Sequence, residues 1–539
     1  MPFGSKKDVV KAKAKPNPIH ELRNNTAEWW YKDPGMRALA LPIFLGFCSS
    51  IQSGYDATVI AGLQANIGFW MALGVPSSIV IGAIVAGQPI GSLPGLIPAA
   101  IATDKLGRKK TQFIGYVFLV GSAFFLAWAK GAWLMFGARV FHGFWSGVTS
   151  VSSGPYTTEI AHPRNRAVVT ALIQTCWFTG AVLSAWVCFG CLHIDSDWSW
   201  RLPLLLQMVV PVIALCIIPF VPESPRWLTS HGRQEEAHRI LARYHANGDM
   251  NDELVLYEMK EISAALEIGA ASKDVSYGAF IATKGMRHRL LILITCGFGS
   301  QMVGNGIITF YIVPILTSVG ITSGTDQAIY NACLQIWNWL SAVAGALACE
   351  RFGRRPLWLT SIAGQFVSYA IITACSAVYE EQGNESAGFA VLAFLYIYFF
   401  FYAIAFTGLT FAYPLEILPF EMRAKGFSIM LICSISGVIF NTFVNPIAMA
   451  AIAWKYYFVW IGCITVVAVI MYFYYPETKG LILEEISRIF DGPQTGKDII
   501  AASGPSADTD EAKEKEEAAA GRLDDNIAQL HFQSSNQEV

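Results

Sequence analysis

Asp104-Lys105-Leu106-Gly107-Arg108-Lys109-Lys110 closes a long, almost uncharged apolar run, and a close echo, Glu350-Arg351-Phe352-Gly353-Arg354-Arg355, does the same much later. The two stretches lie roughly 250 positions apart, too far for a solenoid period and about right for two fused multi-helix halves. Each puts an acid at the end of a hydrophobic segment, a glycine where the chain turns tightly, then cations that do not follow into lipid. One copy alone reads equally well as a solvated basic loop. Two copies in matching surroundings read as a device of a duplicated membrane protein.

Composition agrees. Of 539 residues, 54% are hydrophobic and 14% charged, with a mean hydropathy of +0.43; soluble proteins carry about 25% charged residues. Apolar runs long enough to cross a bilayer recur at 38–62, 77–102, 111–129, 132–154, 167–190 and 203–221, then at 289–318, 328–349, 356–378, 387–413, 426–450 and 455–475. The expected fold is therefore an all-α membrane protein of twelve transmembrane helices in two pseudo-symmetric six-helix halves. The Pro/Gly-rich part of the second span, Gln88 to Pro98, is expected to kink without breaking.

The halves are expected at 38–221 and 289–475, with a tail at 1–37, a linker at 222–288 and a segment at 476–539 that is disordered after about 490. Within the linker, 234–245 and 252–267 set apolar residues on one face among charges, the pattern of short amphipathic helices. Residues 1–37 hold eight Lys/Arg against four Asp/Glu and no apolar run, so the first span is expected to serve as its own signal. Basic residues at 105–110, 164–166, 351–355 and 423–425 all follow even-numbered spans, which puts both termini in the cytosol. Trp29, Trp30 and Tyr31 then form an interfacial belt. Asn384-Glu385-Ser386 falls in a loop expected outside, so Asn384 is the glycosylation candidate, whereas the sequon at Asn24 is expected inside.

A net charge of −2 gives no reason to expect nucleic acid. The 11 cysteines lie within or beside apolar runs and read as small hydrophobes; the lone Cys188-Phe189-Gly190-Cys191 lacks a second ligand pair for a metal. No phosphate loop or catalytic triad spacing occurs, so neither enzyme, cofactor nor metal is expected.

From Trp29 to Phe490 the motifs resemble the sugar porters of the major facilitator superfamily, and within them the fungal lactose-permease-like and hexose carriers. The resemblance rests on Gly54-Tyr55-Asp56, the stretch from Asp104 to Lys110, Arg139, Pro155-Tyr156 with Glu159-Ile160-Ala161 and Arg166, and Pro222-Glu223-Ser224-Pro225-Arg226-Trp227-Leu228. It continues in Glu350 to Arg355, Glu416 with Arg423, Pro476-Glu477-Thr478-Lys479-Gly480 and Leu483-Glu484-Glu485. Trp30 to Pro34 and Gly304-Asn305-Gly306 point to the fungal branch.

The resemblance implies secondary active uptake of a mono- or disaccharide across the plasma membrane, by proton symport and alternating access, with the monomer as the working unit. A carrier of a polyol, glycoside or fungal metabolite is the first alternative, and a transporter-like sugar sensor the second. An acid in a helix neutralises itself by taking a proton whereas arginine stays charged, so Asp56 facing Arg139 is expected to form a proton-sensitive latch. A permanent ion pair joining the two spans is the plainer reading. His142, one turn after Arg139, is expected first to pack and second to tune the latch.

Sugar recognition needs amides for neighbouring hydroxyls and aromatic faces for the ring. The resemblance places Gln174, Gln301 and Asn338 at sugar-contact positions, with Asn305, Phe411 and Asn441 as further candidates. The chain departs from the usual pattern where Ser300 replaces the first of two glutamines, Gly306 stands at the usual asparagine position, Phe411 replaces a tryptophan, and Gly437-Val438 replaces an amide-Trp pair. Those departures bear on which sugar, not on the class. At the cytosolic helix ends, Asp104, Arg108, Glu159, Arg166, Glu223 and Arg226 in one half, and Glu350, Arg354, Glu416, Arg423 and Glu477 in the other, are implied to close an inner gate.

Overall fold

The computed structural model describes residues 24–27, 29–271, 277–419, 422–479, 481, 486 and 489–491. The Glu350 side chain, the tail expected to be disordered beyond Asp491, residues 1–23 and Leu483-Glu484-Glu485 lie outside the described residues.

The described chain is helical throughout. The first half comprises α1 (Pro34–Leu63), a short α2 (Ile67–Ala72), α3 (Ser78–Leu106), α4 (Arg108–Trp128), α5 (Ala132–Ile160), α6 (Arg166–Cys191), α7 (Trp198–Leu206) and α8 (Val209–Ile217). A linker of α9 (Pro225–Ser230), α10 (Gln234–His245) and α11 (Glu253–Ala271) follows. The second half has α12 (Ala279–Ala282), α13 (Lys284–Ile294), α14 (Asn305–Ser318), α15 (Gly324–Phe352), α16 (Arg354–Gln382), α17 (Glu385–Ile417), α18 (Arg423–Ile452) and α19 (Tyr456–Tyr474).

Nine stretches among the described residues are helical, long and apolar enough to cross a membrane. One of them, Lys425–Tyr474, is 50 residues long and divides at Ala453 into α18 and α19. The remaining two crossings are less apolar for visible reasons: α5 carries Arg139, His142 and many Ser and Thr, and α13–α14 is interrupted. Together they make the twelve expected crossings.

The interruption is more than a kink. The sequence reads 289–318 as one span, but a π turn at Thr295–Gly299 ends α13, and Gly304 with φ +90° starts α14 anew. Gln301 and Asn305 sit at this break, where backbone groups leave the helical ladder. By contrast α3 stays a continuous helix through Pro89, Pro94 and Pro98.

Small residues set the spacing of the first half. A Cβ on Gly54 would strike the Trp177 carbonyl oxygen, and one on Gly180 the Ile51 carbonyl oxygen, so α1 and α6 approach backbone to backbone. Gly91 and Gly143 do the same for α3 and α5, against Val140 O and Gln88 O. These contacts hold Asp56 and His142 on rigid, closely packed helices. The second half has its own apolar core, around Ile292, Leu316, Trp358, Tyr398 and Ile464.

The halves meet at the end away from the basic loops. There Gln64 Nε2 donates to Phe310 O at 2.7 Å, and Tyr311 packs into the core of the first half beside Val59 and Leu63. Gly82 faces Phe443 O, where a Cβ would be tight at 3.0 Å, and Gly324 faces Ala65 O, where it would clash at 2.9 Å.

Candidate functional site

In lipid a buried polar side chain is costly, so the polar groups of α1, α4 and α5 locate the first site. Asp56 is 0% exposed and His142 1%. His142 Nε2 lies 2.8 Å from Asp56 Oδ2, and Gln52 Nε2, one turn back on α1, donates to Asp56 Oδ1 at 2.6 Å. The expected Asp56–Arg139 contact is replaced by Asp56–His142. Arg139 instead donates from Nε to Ile84 O at 3.2 Å and from Nη1 to the backbone oxygen of Asp56 at 3.4 Å. His142 thus packs fully buried and also places Nε2 against the Asp56 carboxyl.

The hydrogen-bond donors constrain the proton. Ser122 Oγ lies 2.7 Å from Leu119 O and 2.6 Å from His142 Nδ1. Its single hydrogen goes either to that carbonyl, with the hydroxyl oxygen accepting Nδ1–H, or to an unprotonated Nδ1, and the ring tautomer decides which. In either tautomer a proton between Nε2 and Oδ2 makes the 2.8 Å contact attractive, and without one two lone pairs face each other.

The amide candidates lie on α6, α14, α15 and α18 and at the break before α14. Asn305 Nδ2 donates to the Tyr402 hydroxyl at 2.8 Å, Asn441 Nδ2 to Gln301 O at 2.6 Å, and Gln301 Nε2 reaches Ser434 Oγ at 3.5 Å. Gly306 and Gly437 let α14 and α18 close around Asn441 and Gln301. Asn338 is 2% exposed. The side-chain oxygens of Asn305, Asn338 and Asn441 are buried with no hydrogen-bond partner among the described residues, and such an oxygen calls for a water, an ion or a polar ligand. Gln174 is half-buried on α6 and makes no hydrogen bond among the described residues, and Phe411 is half-buried with its ring 6.4 Å from Phe427.

The charged groups form two clusters built alike. Arg108 takes Glu159 in a two-toothed grip, 3.1 Å from both Nε and Nη2; Arg354 grips Glu416 at 3.1 Å and 2.8 Å. Glu223 receives the backbone N–H of Arg108 at 3.0 Å and of Lys109 at 3.2 Å, at the start of α4; Glu477 receives those of Arg354 and Arg355, both at 3.0 Å, at the start of α16. Carboxylates there complement the helix dipole. Ser224 donates to Glu159 and Thr478 to Glu416, while Tyr156 and Tyr413 reach Pro222 O and Pro476 O. Asp104 lies at 3.8 Å from Arg108 Nη1.

These ion pairs all join residues of one half. The expected gate between halves is, in this conformation, two separate rivets, each within its own half. Arg166 faces the linker, 3.7 Å from Glu258, and Arg226 is half-buried on α9 outside both clusters. Arg423 is half-buried at the start of α18. Asn384 Oδ1 accepts from Ser386 N and caps α17 on an exposed turn.

Several contributors have little signature in sequence. Gln52 precedes Asp56 by four residues, a readable helical pairing; Ser122, Tyr402, Ser224 and Thr478 stand out only once their helices are packed.

A two-half bundle of twelve helices, with ionisable groups buried in one half and unpartnered amides at a broken helix in the other, defines a membrane carrier of the major facilitator fold. A family model described as "Sugar (and other) transporter" matches residues 43–490, and the chain belongs to that family. It is a transporter, not an enzyme. The high-affinity glucose transporter of Kluyveromyces lactis is 28% identical over 466 residues, covering 83% of this chain and 84% of that one. Sugar transporter STL1 of Saccharomyces cerevisiae is 27% identical, covering 90% and 89%; MFS-type transporter oryC of Aspergillus oryzae is 27% identical, covering 84% and 85%. The xylose transporter XylE of E. coli in a partially occluded inward-open conformation superposes with a TM-score of 0.70 at 20% identity, over 83% of this chain and 100% of its own.

Proposed function

We propose that this protein imports a sugar together with a proton across the plasma membrane, as a monomer, with the charged loops, the linker and both termini in the cytosol. The observation that carries the coupling is the His142–Asp56 contact of 2.8 Å between two fully buried groups. Loaded with its proton, the pair is a closed contact. Once the proton leaves, the Nε2 lone pair faces a carboxylate, the contact becomes repulsive, and Arg139 on the next turn back is the cation available to take Asp56. The acid thus has two partners, and which one it holds depends on the proton.

Sugar enters the same cycle through Gln174 on the first half and Gln301, Asn305, Asn338 and Asn441 on the second, with Phe411 offering a ring face. The Asn305, Asn338 and Asn441 oxygens accept from hydroxyls, and Gln174 both donates and accepts. The relatives named as glucose and sugar transporters support the class. With the halves joined at the outer end and each cytosolic charge cluster paired within its own half, the reading that fits is an inward-open conformation. The two charge clusters then rivet each half internally, and on closure they are the groups brought face to face as an inner gate.

Uptake of radiolabelled mono- and disaccharides into transport-deficient yeast, with and without a protonophore, tests this reading. Accumulation of at least one sugar, collapsing with the protonophore, is expected. A panel in which none accumulates above background while the protein is at the cell surface refutes sugar import, and accumulation indifferent to the protonophore refutes proton coupling.

A further inference from the structure

A concavity lies at the outer end of the molecule, lined by none of the candidate amides. It has a volume of about 470 Å³, inside the range of about 300–1,000 Å³ typical of small-molecule sites. Both halves line it, at the outer end where they touch: Gln64 follows α1 and Trp70 lies on α2, while Ser376 and Glu380 stand at the outer end of α16, Trp454 in the turn between α18 and α19, and Tyr457 at the start of α19. None of these residues carries a role in the transport cycle described above.

The chemistry of the wall is specific. Trp70, Trp454 and Tyr457 offer ring faces. The Trp70 N–H is already spent on Gln64 O, at 2.9 Å, so that ring has only its face to give. Ser376 is 5% exposed, and its hydroxyl finds no hydrogen-bond partner among the described residues. Glu380, one helical turn further out on the same face of α16, is exposed at the mouth and is the single charged residue of the lining. Aromatic faces beside a hydroxyl and a carboxylate suit a ring with C–H faces and neighbouring hydroxyls.

We propose that this outer vestibule is a second binding site for a neutral pyranose or polyol of monosaccharide size, distinct from the central amides; the ligand class rests on the sugar-carrier reading. Because groups from both halves line the site, and the halves are in contact there, a ligand in it binds this conformation in preference to one in which the outer ends separate. By reciprocity its occupancy disfavours outward opening, so the sugar outside acts as both cargo and brake.

The test is equilibrium binding of tritiated glucose, xylose and sorbitol at millimolar concentration to the purified full chain. Three forms are compared: the native protein, Gln301→Ala/Asn338→Ala, and Ser376→Val/Trp454→Ala. Two molecules bound per native chain, falling to one in either double variant, is expected. One molecule per native chain that disappears in the central variant and survives in the vestibule variant overturns the outer site and leaves the sugar-carrier reading standing. Binding lost only in the vestibule variant keeps the outer site and overturns the central one, and no binding by any form overturns both. Glu380→Gln, on an exposed side chain, serves if the vestibule double variant does not fold: weakened binding of the second molecule supports the site, and unchanged affinity contradicts it.

Discussion

Asp56 and His142 divide the work of coupling in a way that substitution separates. Asp56→Asn keeps a polar group of the same size but cannot ionise, so uphill accumulation is expected to vanish while exchange of labelled for unlabelled sugar continues; unchanged accumulation removes Asp56 from coupling. His142→Gln retains a donor toward the carboxylate yet cannot carry a second proton. Its uptake is expected to lose its dependence on external pH, and a native pH profile in that variant contradicts the shared-proton geometry. The buried acid was legible because an ionisable residue in an apolar run is costly. Its partner was not, since helical periodicity places Arg139 and His142 on one face of α5 but does not say which of them α1 presents to Asp56. That choice is made by how α1 packs on α5, where Gly46 lies against the Thr157 side chain, too close to carry one of its own.

At the scale of elements, the turns between α3 and α4 and between α15 and α16 are the same device twice. Gly107 has φ +96° and Gly353 φ +97°, and a Cβ would lie 2.5 Å from Glu223 Oε2 in one and 2.9 Å from Glu477 Oε2 in the other. Gly107→Ala and Gly353→Ala are each expected to cost about 1–3 kcal/mol, read as a lowered thermal midpoint. A native midpoint in either variant contradicts the shared geometry. The amphipathic pattern at 234–245 became α10 to the residue, and that at 252–267 became the longer α11. What those helices dock against was not legible, because the partners come from distant parts of the chain.

His245 shows the consequence. It contacts Glu258 at 2.7 Å through Nδ1 and the Ile160 carbonyl at 3.1 Å through Nε2, while Asn25 and Gly35 near the N-terminus bond Asp252 and Asn247 beside it. Burial pushes the His245 imidazole down, but Glu258 and the Ile160 carbonyl together raise it above its ordinary value of 6.5. Its neighbour His162, 5.0 Å away ring to ring, is pushed by burial down to about 3 and stays neutral. A raised folded value means that His245 stabilises linker docking fully below the ordinary histidine range, and that this contribution fades as pH rises through the folded value. Hydrogen-exchange protection of α10 is expected to decline on that alkaline side and to lose its pH dependence in His245→Ala. Protection that is flat with pH in the native chain contradicts the assignment.

For the whole molecule, the duplicated loop announced two halves, and the alternation of basic and basic-poor loops ordered twelve crossings. Neither could show that α13 and α14 part at Gln301, because Gly304 and the π turn interrupt a segment whose hydropathy is unbroken. Nor could a list of charged helix ends show that Arg108 and Arg354 each hold an acid of their own half. That depends on which ends of the two bundles are together. The central claim is that one proton, stored between Asp56 and His142, drives sugar across. Its most direct measurement is sugar accumulation in proteoliposomes under an imposed pH gradient, acidic on the side of entry, with native protein and Asp56→Asn compared. Uphill accumulation by the native chain that collapses with the gradient, and none by the variant although it still exchanges sugar, is the result predicted; accumulation by the native chain that ignores the gradient, or equal accumulation by Asp56→Asn, contradicts it.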